Sequence, residues 1–261
     1  PARQVIDKEE GSSAMVRILK GPGNSKKLMI NGMIVTGNMT GDLAVQEIPP
    51  LLAGVFTGNA ENALVMGFGT GITASVLEKC QVPSIHITET HPEVLTLAAD
   101  AFSEENNDIL TSSKTGLSIE DAALHLARIP FKYDIITSGY PALLSQPSCY
   151  TDAFFRKAAK ALTGSGAFSL VVPLGGISSA GFWSVLSAAT SVFPEVSLWY
   201  LDPTHLMLMA TKKKMPPVCR LMDQFFGELH PTLQRWDPVS SLPARLIMTD
   251  QGIRSHTAGY P

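Results

Sequence analysis

The stretch Ala63-Leu-Val-Met-Gly67-Phe-Gly69-Thr-Gly71, followed by Ile72–Lys79 and then by Ile85-His-Ile-Thr-Glu89, decides the fold of this chain. An apolar run of strand length reaches three glycines at alternate positions and continues as a segment with helical spacing. A second short strand follows and ends in an acid. This order is typical of the opening β-α-β unit of a nucleotide-binding sheet.

Each glycine of this turn has a physical role. Gly67 lets the chain turn off the strand, Gly69 lets the backbone approach a ligand, and Gly71 lets the helix pack closely. The carboxylate of Glu89 stands where it can accept hydrogen bonds from both hydroxyls of a ribose. The pattern therefore predicts an adenosine-containing ligand, against the alternative of a purely structural turn. A dinucleotide-binding fingerprint has a further Gly or Ala three residues on, and Ala74 stands three residues after Gly71, so this spacing alone does not exclude a nicotinamide cofactor.

Composition narrows the class of protein. The 261 residues are 45% hydrophobic and 16% charged, so the chain can bury a sizeable core. A net charge of −3 disfavours nucleic acid and favours a small-molecule substrate. Three well-separated cysteines indicate a reducing compartment, and no apolar run is long enough to span a membrane. The chain begins with Pro1, which suggests a piece of something longer.

The pattern predicts three parts. Residues 1–55 form an antiparallel β-meander and a linking helix, with residues 1–12 poorly ordered and a turn at Asn31-Gly32. Residues 56–214 form an α/β, Rossmann-like domain with a seven-stranded, mostly parallel sheet whose last strand is reversed. Residues 215–261, rich in proline and methionine, form an irregular appendage.

The linking helix contains two candidates for the site. It starts near Asp42 and is expected to restart after Pro49-Pro50. Gln46 and Glu47 precede the glycine turn by one element, so both are candidates to face the ligand. For Glu47 a solvated helix surface is the favoured interpretation.

Other candidates follow later strands. Asp121 either caps a short helix or accepts a hydrogen bond from an adenine amino group. The strand Tyr133–Thr137 ends in the loop Ser138-Gly-Tyr140-Pro, and ligands lie outside the carboxyl ends of such strands. Ser138 and Tyr140 are therefore candidates for the reacting groups.

Several stretches together carry a family resemblance. They are Asn31-Gly32, Gly67-Phe-Gly-Thr-Gly-Ile-Thr73, Thr88-Glu-Thr-His-Pro92, Glu105-Asn-Asn-Asp-Ile-Leu110, Glu120-Asp-Ala122, Tyr133-Asp-Ile-Ile136 and Tyr150-Thr-Asp-Ala-Phe-Phe155. In this order the chain resembles the spermidine synthase-like (polyamine aminopropyltransferase-like) class I S-adenosylmethionine-dependent family. It is most similar to the branch that is fused to membrane-spanning segments.

The resemblance implies roles for single residues. Glu89 would bind the ribose hydroxyls, Asp121 the adenine amino group, and the loop of Gly67, Gly69, Thr70 and Gly71 the sulfonium tail. Gln46 matches a family position near the ligand. The implied ligand is S-adenosylmethionine, its decarboxylated form or methylthioadenosine. A homo-oligomer in the cytoplasm is expected, with a fused or associated membrane segment placing it at the inner face of a membrane.

Two departures from the family pattern bear on the activity. Thr70 lies in the region where polyamine-forming members carry an aspartate for the cationic amine. The loop Thr137-Ser-Gly-Tyr-Pro141 has no carboxylate to deprotonate an attacking amine. Ordinary spermidine synthesis is therefore not expected. With Thr70 in place of an acid, the loop does not repel the α-carboxylate of S-adenosylmethionine, so the intact compound is favoured over its decarboxylated form.

Three functions remain open. The first is a transferase or sulfonium-cleaving enzyme that releases methylthioadenosine, with Gln46, Ser138 or Tyr140 orienting the substrate. The second is a small-molecule methyltransferase, and the third a catalytically inactive, ligand-sensing domain. His86 is expected in the core and His91 at a helix start, so no metal site is predicted.

Overall fold

The structure, a computed structural model, describes residues 4–140, 147–214 and 243–258. Its first part is a four-stranded antiparallel sheet in the order β1-β2-β3-β4. These strands are β1 (Gln4–Glu10), β2 (Met15–Lys20), β3 (Lys26–Ile30) and β4 (Met33–Gly37). The expected meander is present, but Gln4–Glu10 was expected to be poorly ordered and is instead its edge strand.

The turn between β3 and β4 follows from two residues. Asn31 and Gly32 have φ angles of 49° and 84°. Two successive positive φ values match the right-handed twist of a tight hairpin, and Asn-Gly adopts them readily. Asn31 Oδ1 also accepts a hydrogen bond from Met15 N at 2.9 Å, which fixes the turn against β2.

The linking helix α1 (Thr40–Thr57) does not restart at its proline pair but runs through it. Proline lacks an N–H, so Pro50 leaves the carbonyl of Gln46 without its helical donor. The hydroxyl of Thr73 donates to that carbonyl at 2.9 Å. A buried side chain from another helix thus replaces one lost bond, and burial of α1 from Ala44 to Val55 holds the helix together.

The larger sheet has eight strands in the order β12-β10-β11-β9-β8-β5-β6-β7. They are β5 (Asn62–Met66), β6 (Ser84–Glu89), β7 (Thr115–Ile119), β8 (Tyr133–Ser138), β9 (Leu162–Pro173), β10 (Glu195–Asp202), β11 (His205–Thr211) and β12 (Leu246–Met248). The five strands from β9 to β7 are parallel, and β11 runs antiparallel between β9 and β10. The expected Rossmann-like α/β fold is confirmed, with one strand more than expected.

Helices cover both faces of this sheet. They are α2 (Ile72–Lys79), α3 (Pro92–Ala101), α4 (Ser103–Asn106), α5 (Ala122–Arg128), α6 (Asp152–Ala161), α7 (Ser179–Val192) and α8 (Asp250–Thr257). One core joins α1, α2 and α3 to the sheet and the meander. A second core joins α5, α6, α7 and α8 to the opposite face. The result is a three-layer domain.

The carboxyl-terminal segment was expected to be irregular, and residues 246–257 correct that expectation. Strand β12 pairs with β10, and α8 packs beside it. Arg254 of α8 donates to the carbonyl of Thr190 in the last turn of α7 and to those of Phe193 and Pro194 just beyond it. Guanidinium groups satisfy such exposed helix-end carbonyls well. The predicted boundaries at 55 and 214 stay predictions, and Cys219 lies outside the described residues.

Helix α6 ends at Ala161, and β9 runs through Gly164 and Gly166. One smaller expectation also changes. Glu47 was expected on a solvated surface and is buried. Among the described residues, no helix has both the length and the apolar character needed to cross a membrane.

Candidate nucleotide-binding site

The glycine turn after β5 adopts the predicted conformation. Gly67 and Gly69 have φ angles of 84° and 57°, in the left-handed region that glycine occupies at little cost. Gly67 N donates to the carbonyl of Thr88 at 2.7 Å, which holds the turn against the end of β6. The chain then enters α2 at Ile72, with Gly71 as its N-cap.

Glu89 ends β6 and is fully buried. Its Oε2 accepts a hydrogen bond from Phe68 N at 2.9 Å, and its Oε1 accepts from Thr90 N at 2.8 Å and from His91 N at 3.0 Å. Burial raises the pKa of this carboxyl above its usual value, whereas the three backbone N–H groups oppose that rise. Glu89 thus links the glycine loop to the start of α3.

Gln46 lies under the glycine loop and has no exposed surface. Its Nε2 donates to the carbonyls of Gly37 and Asp42, each at 2.9 Å, and its Oε1 accepts from the hydroxyl of Thr70. Both amide protons and the amide oxygen are therefore engaged within the protein. The structure places Gln46 as a support that joins the meander to the loop.

Ser138 was expected in the loop after the strand, but it is the last residue of β8, and the hydroxyls of Thr137 and Ser138 both bond to β9. Ser138 Oγ accepts a hydrogen bond from Val171 N at 3.0 Å, and Thr137 Oγ1 accepts from Ser169 Oγ at 2.7 Å. Both residues are buried. These contacts align β8 with β9, and the substrate-orienting role of Ser138 stays a prediction.

Tyr140 lies across the glycine loop and is almost completely buried. A Cβ atom on Gly67 would come within 2.5 Å of the Tyr140 ring, and one on Gly69 within 2.9 Å. Real Cβ atoms do not approach other atoms so closely. Both glycines therefore have a packing role, since the bare backbone leaves room for an aromatic ring.

Asp121 precedes α5 and caps it. Its Oδ1 accepts from Ala123 N at 2.8 Å and from Leu124 N at 3.2 Å, which satisfies two amide groups at the helix start. Of the two roles left open by the sequence, the capping role is present. The contact with an adenine amino group stays a prediction.

Three residues that the sequence did not single out hold the loop in place. Thr73 donates to the carbonyl of Gly139 at 3.2 Å, and Asn106 Nδ2 donates to the carbonyl of Thr70 at 2.9 Å. A Cβ on Gly139 would lie 1.9 Å from Gly67 O, so only glycine fits there. Thr73 and Asn106 lie in stretches that carry the family resemblance, which could have marked them, and Gly139 is a lone glycine after β8.

A cavity of about 220 Å³ lies beside the loop, on the side of the Phe68 ring. Its other lining residues come from α3, α4 and the segment after them: Ala99, Asp100, Asn106, Asp108, Leu110 and Thr111. Glu89 and Tyr140 are not among them. The cavity therefore lies beside the glycine loop and does not reach Glu89 or Tyr140.

The sheet order, the glycine turn and the glutamate at the end of β6 define a Rossmann-like α/β domain. A family model of the spermine/spermidine synthase domain matches residues 43–215. The chain belongs to that family. No curated protein sequence matches it significantly.

Solved structures agree with the fold. The chain is similar to a spermidine synthase solved with the transition-state analogue AdoDATO, with a TM-score of 0.67, 16% identity, and coverage of 98% of this chain and 84% of that chain. A spermidine synthase from Thermotoga maritima gives a TM-score of 0.69 with the same identity and coverages. A probable spermidine synthase from Corynebacterium glutamicum gives 0.67 and 16% identity, covering 98% of this chain and 95% of that chain.

Proposed function

We propose that this domain binds S-adenosylmethionine at the carboxyl edge of the large sheet and cleaves its sulfonium to release methylthioadenosine. Glu89 would hold the ribose hydroxyls, as the family resemblance implies. The glycine loop would face the sulfonium tail, and backbone N–H groups near the start of α2 would attract the substrate's carboxylate. The decarboxylated compound is the alternative ligand, in keeping with the analogue bound by the spermidine synthase named above.

One observation carries the choice of reaction. From Thr137 to Thr151, across the whole segment between β8 and α6, the sequence contains no Asp or Glu. Aminopropyl transfer requires a group that accepts the proton of the attacking amine. The hydroxyls of Thr137 and Ser138 make hydrogen bonds within the sheet, so neither replaces the missing acid.

An internal displacement needs no such base. The substrate's own carboxylate oxygen attacks its γ-carbon, the C–S bond breaks, and the electron pair goes to sulfur. The products are neutral methylthioadenosine and homoserine lactone, which keeps the ammonium group. The protein need only hold the folded substrate in a reactive geometry.

The test is product analysis by chromatography after incubating the protein with S-adenosylmethionine alone. Methylthioadenosine that forms without an added amine supports the proposal. In parallel incubations, methylthioadenosine that forms only with decarboxylated substrate and putrescine would indicate ordinary aminopropyl transfer, and S-adenosylhomocysteine that forms when a small-molecule nucleophile is supplied would indicate methyl transfer. Glu89→Gln tests the binding role of the carboxylate. We expect it to weaken nucleoside binding about 100-fold, because the amide lacks the negative charge that would hold the ribose hydroxyls.

A second function is favoured by the position of Tyr140. Its ring occupies the space over Gly67 and Gly69, the part of the loop that a sulfonium tail would approach. A domain that senses the ligand without reacting would bind it by moving this ring. Calorimetric binding of S-adenosylmethionine or methylthioadenosine with no product after prolonged incubation would select this function.

A further inference from the structure

We propose that the imidazole of His91 accepts one of the two ribose hydroxyls of the bound nucleoside, and that Glu89 holds only the other. His91 is then a second ribose-binding residue, positioned by Ser13 of the amino-terminal meander. The inference deepens the proposed function and rests on it, since it requires a nucleoside at the end of β6.

The carboxylate of Glu89 has little hydrogen-bonding capacity left for a ligand. Its Oε1 accepts from Thr90 N and His91 N, and its Oε2 accepts from Phe68 N. An ionised carboxylate offers about four acceptor positions, so these bonds leave one, on Oε2. The family resemblance gives both ribose hydroxyls to Glu89. The backbone contacts leave room for one of them, and the neighbouring hydroxyl needs another acceptor.

His91 lies beside this carboxylate and is the N-cap residue of α3. Its backbone N–H bonds to Glu89 Oε1 at 3.0 Å, which keeps the two residues on one turn of the chain. Glu89 has no exposed surface, whereas His91 is partly exposed. The imidazole is therefore open to a ligand that approaches the carboxylate.

Ser13 and Glu93 determine which nitrogen of His91 carries the proton. Ser13 Oγ donates to Glu93 Oε2 at 2.6 Å, and this bond holds the pKa of Glu93 below its usual value. Glu93 is therefore ionised at neutral pH and acts only as an acceptor. Because the single hydroxyl proton of Ser13 is used in this bond, His91 Nδ1, at 3.1 Å, is the donor to Ser13 Oγ.

This tautomer leaves Nε2 of His91 without a proton and with a free lone pair. Within residues 4–140, 147–214 and 243–258, no group bonds to Nε2. A ribose hydroxyl is a hydrogen-bond donor, so it matches this acceptor.

The loop between β1 and β2 is fitted to Glu93. Ser13 N also donates to Glu93 Oε1, at 3.3 Å. A Cβ on Gly11 would lie 1.8 Å from the same oxygen, so a larger residue would displace the carboxylate from Ser13. The meander thus supports the orientation of His91 from a distance of nearly 80 positions in the sequence.

Calorimetry with methylthioadenosine, and with the two analogues that each lack one ribose hydroxyl, separates the two acceptors. In the unmodified protein each missing hydroxyl should weaken binding about tenfold, because each has its own acceptor. His91→Phe keeps a ring but lacks Nε2. It should weaken methylthioadenosine binding about tenfold, and one of the two analogues should then bind as well as methylthioadenosine. His91→Gln places an amide oxygen near the position of Nε2 and should restore most of the loss.

Ser13→Ala tests the positioning role. It removes the group that fixes the tautomer and should weaken methylthioadenosine binding about threefold. In the His91→Phe protein the same change should leave affinity unaltered, because Ser13 acts through the imidazole. A purely structural role of Ser13 would weaken binding in both proteins. His256→Phe, at an exposed position of α8, is the matched control and should change none of the affinities.

The outcomes separate this inference from the proposed function. If the unmodified protein does not bind methylthioadenosine, both are overturned. If it binds, but His91→Phe keeps the unmodified affinity or still loses affinity for both analogues, only the role of His91 is overturned.

Discussion

The two sides of the candidate nucleotide-binding edge are built differently. At the end of β6, backbone N–H groups hold the carboxylate of Glu89, whatever the neighbouring side chains are. At the end of β8, Thr137 and Ser138 bond to β9, and the Tyr140 ring covers the glycine loop. The β6 side is organised by the main chain, whereas side-chain packing fills the β8 side. Because a backbone N–H does not depend on its side chain, substitutions should disturb the β6 side less than the β8 side.

Removing the Tyr140 ring should produce the largest effect. We expect Tyr140→Ala to lower the free energy of unfolding by about 3 kcal/mol, because a buried ring leaves a cavity. Affinity for methylthioadenosine should rise about tenfold, since the ligand no longer displaces the ring. Chemical denaturation and calorimetry measure the two changes. Tyr140→Phe, which keeps the ring, is the control. Weaker binding by Tyr140→Ala would show instead that the ring contacts the ligand.

Substituting Gly69 tests whether the ring explains the glycine. Gly69→Ala should lower the free energy of unfolding by about 2 kcal/mol, because alanine is strained at this left-handed φ and its Cβ would contact Tyr140. When Tyr140 is already alanine, Gly69→Ala should lower the free energy of unfolding by about 1 kcal/mol less. A double-mutant cycle measured by chemical denaturation tests this. Gly23→Ala has a positive φ but no neighbour within 4 Å, so its cost should not depend on Tyr140. Strict additivity for Gly69 would contradict the packing role.

The hydroxyl of Ser138 should matter for stability rather than for the ligand. Ser138→Ala leaves the buried N–H of Val171 without its acceptor, so we expect a loss of about 1–2 kcal/mol in unfolding free energy. Nucleoside affinity should change less than about twofold. A tenfold loss of affinity in calorimetry, with stability unchanged, would place Ser138 at the substrate.

The smallest expected effect is a loss of unfolding free energy on acidification, which arises from His86 on β6. The rings of His86 and His125 stack with centroids 4.5 Å apart, and burial, with a smaller contribution from His125, lowers the pKa of His86 to about 4. The unfolded chain takes up a proton near pH 6.5 and the folded one only near pH 4, so stability is lost as pH falls through this window.

Because His86 is half-exposed, we expect a loss of about 1 kcal/mol, or a fall of about 2–4 °C in Tm, between pH 6.5 and pH 4. Thermal unfolding at several pH values measures it. His86→Gln cannot take up this proton, and its Tm should fall less over the same range. An equal fall in both proteins would assign the effect to other groups.

Much of the fold was predictable because its signals are local. The alternation of apolar residues, the left-handed glycines and the Asn31-Gly32 hairpin are properties of a few neighbouring residues. The eighth strand was missed because Leu246–Met248 is too short to show a period. The proline pair was expected to break α1, because nothing in the sequence indicates that Thr73 would satisfy the carbonyl of Gln46.

The candidate site was predictable only in part. Glu89 follows from its place at the end of a strand beside a glycine turn, and its three N–H contacts agree with that position. The directions of Gln46, Ser138 and Tyr140 were not predictable. Each depends on which distant element comes next to it.

The sequence by itself determined the succession of strands from β5 to β11 and the acid at the end of β6, because backbone conformation and apolar periodicity act over a few residues. Only the tertiary structure decided that Gln46 bonds to Thr70, 24 positions away, and that Thr73 bonds to Gly139, 66 positions away. The physical reason is that a buried polar group must find a partner, and a buried ring must find space. Both depend on the complete packed domain.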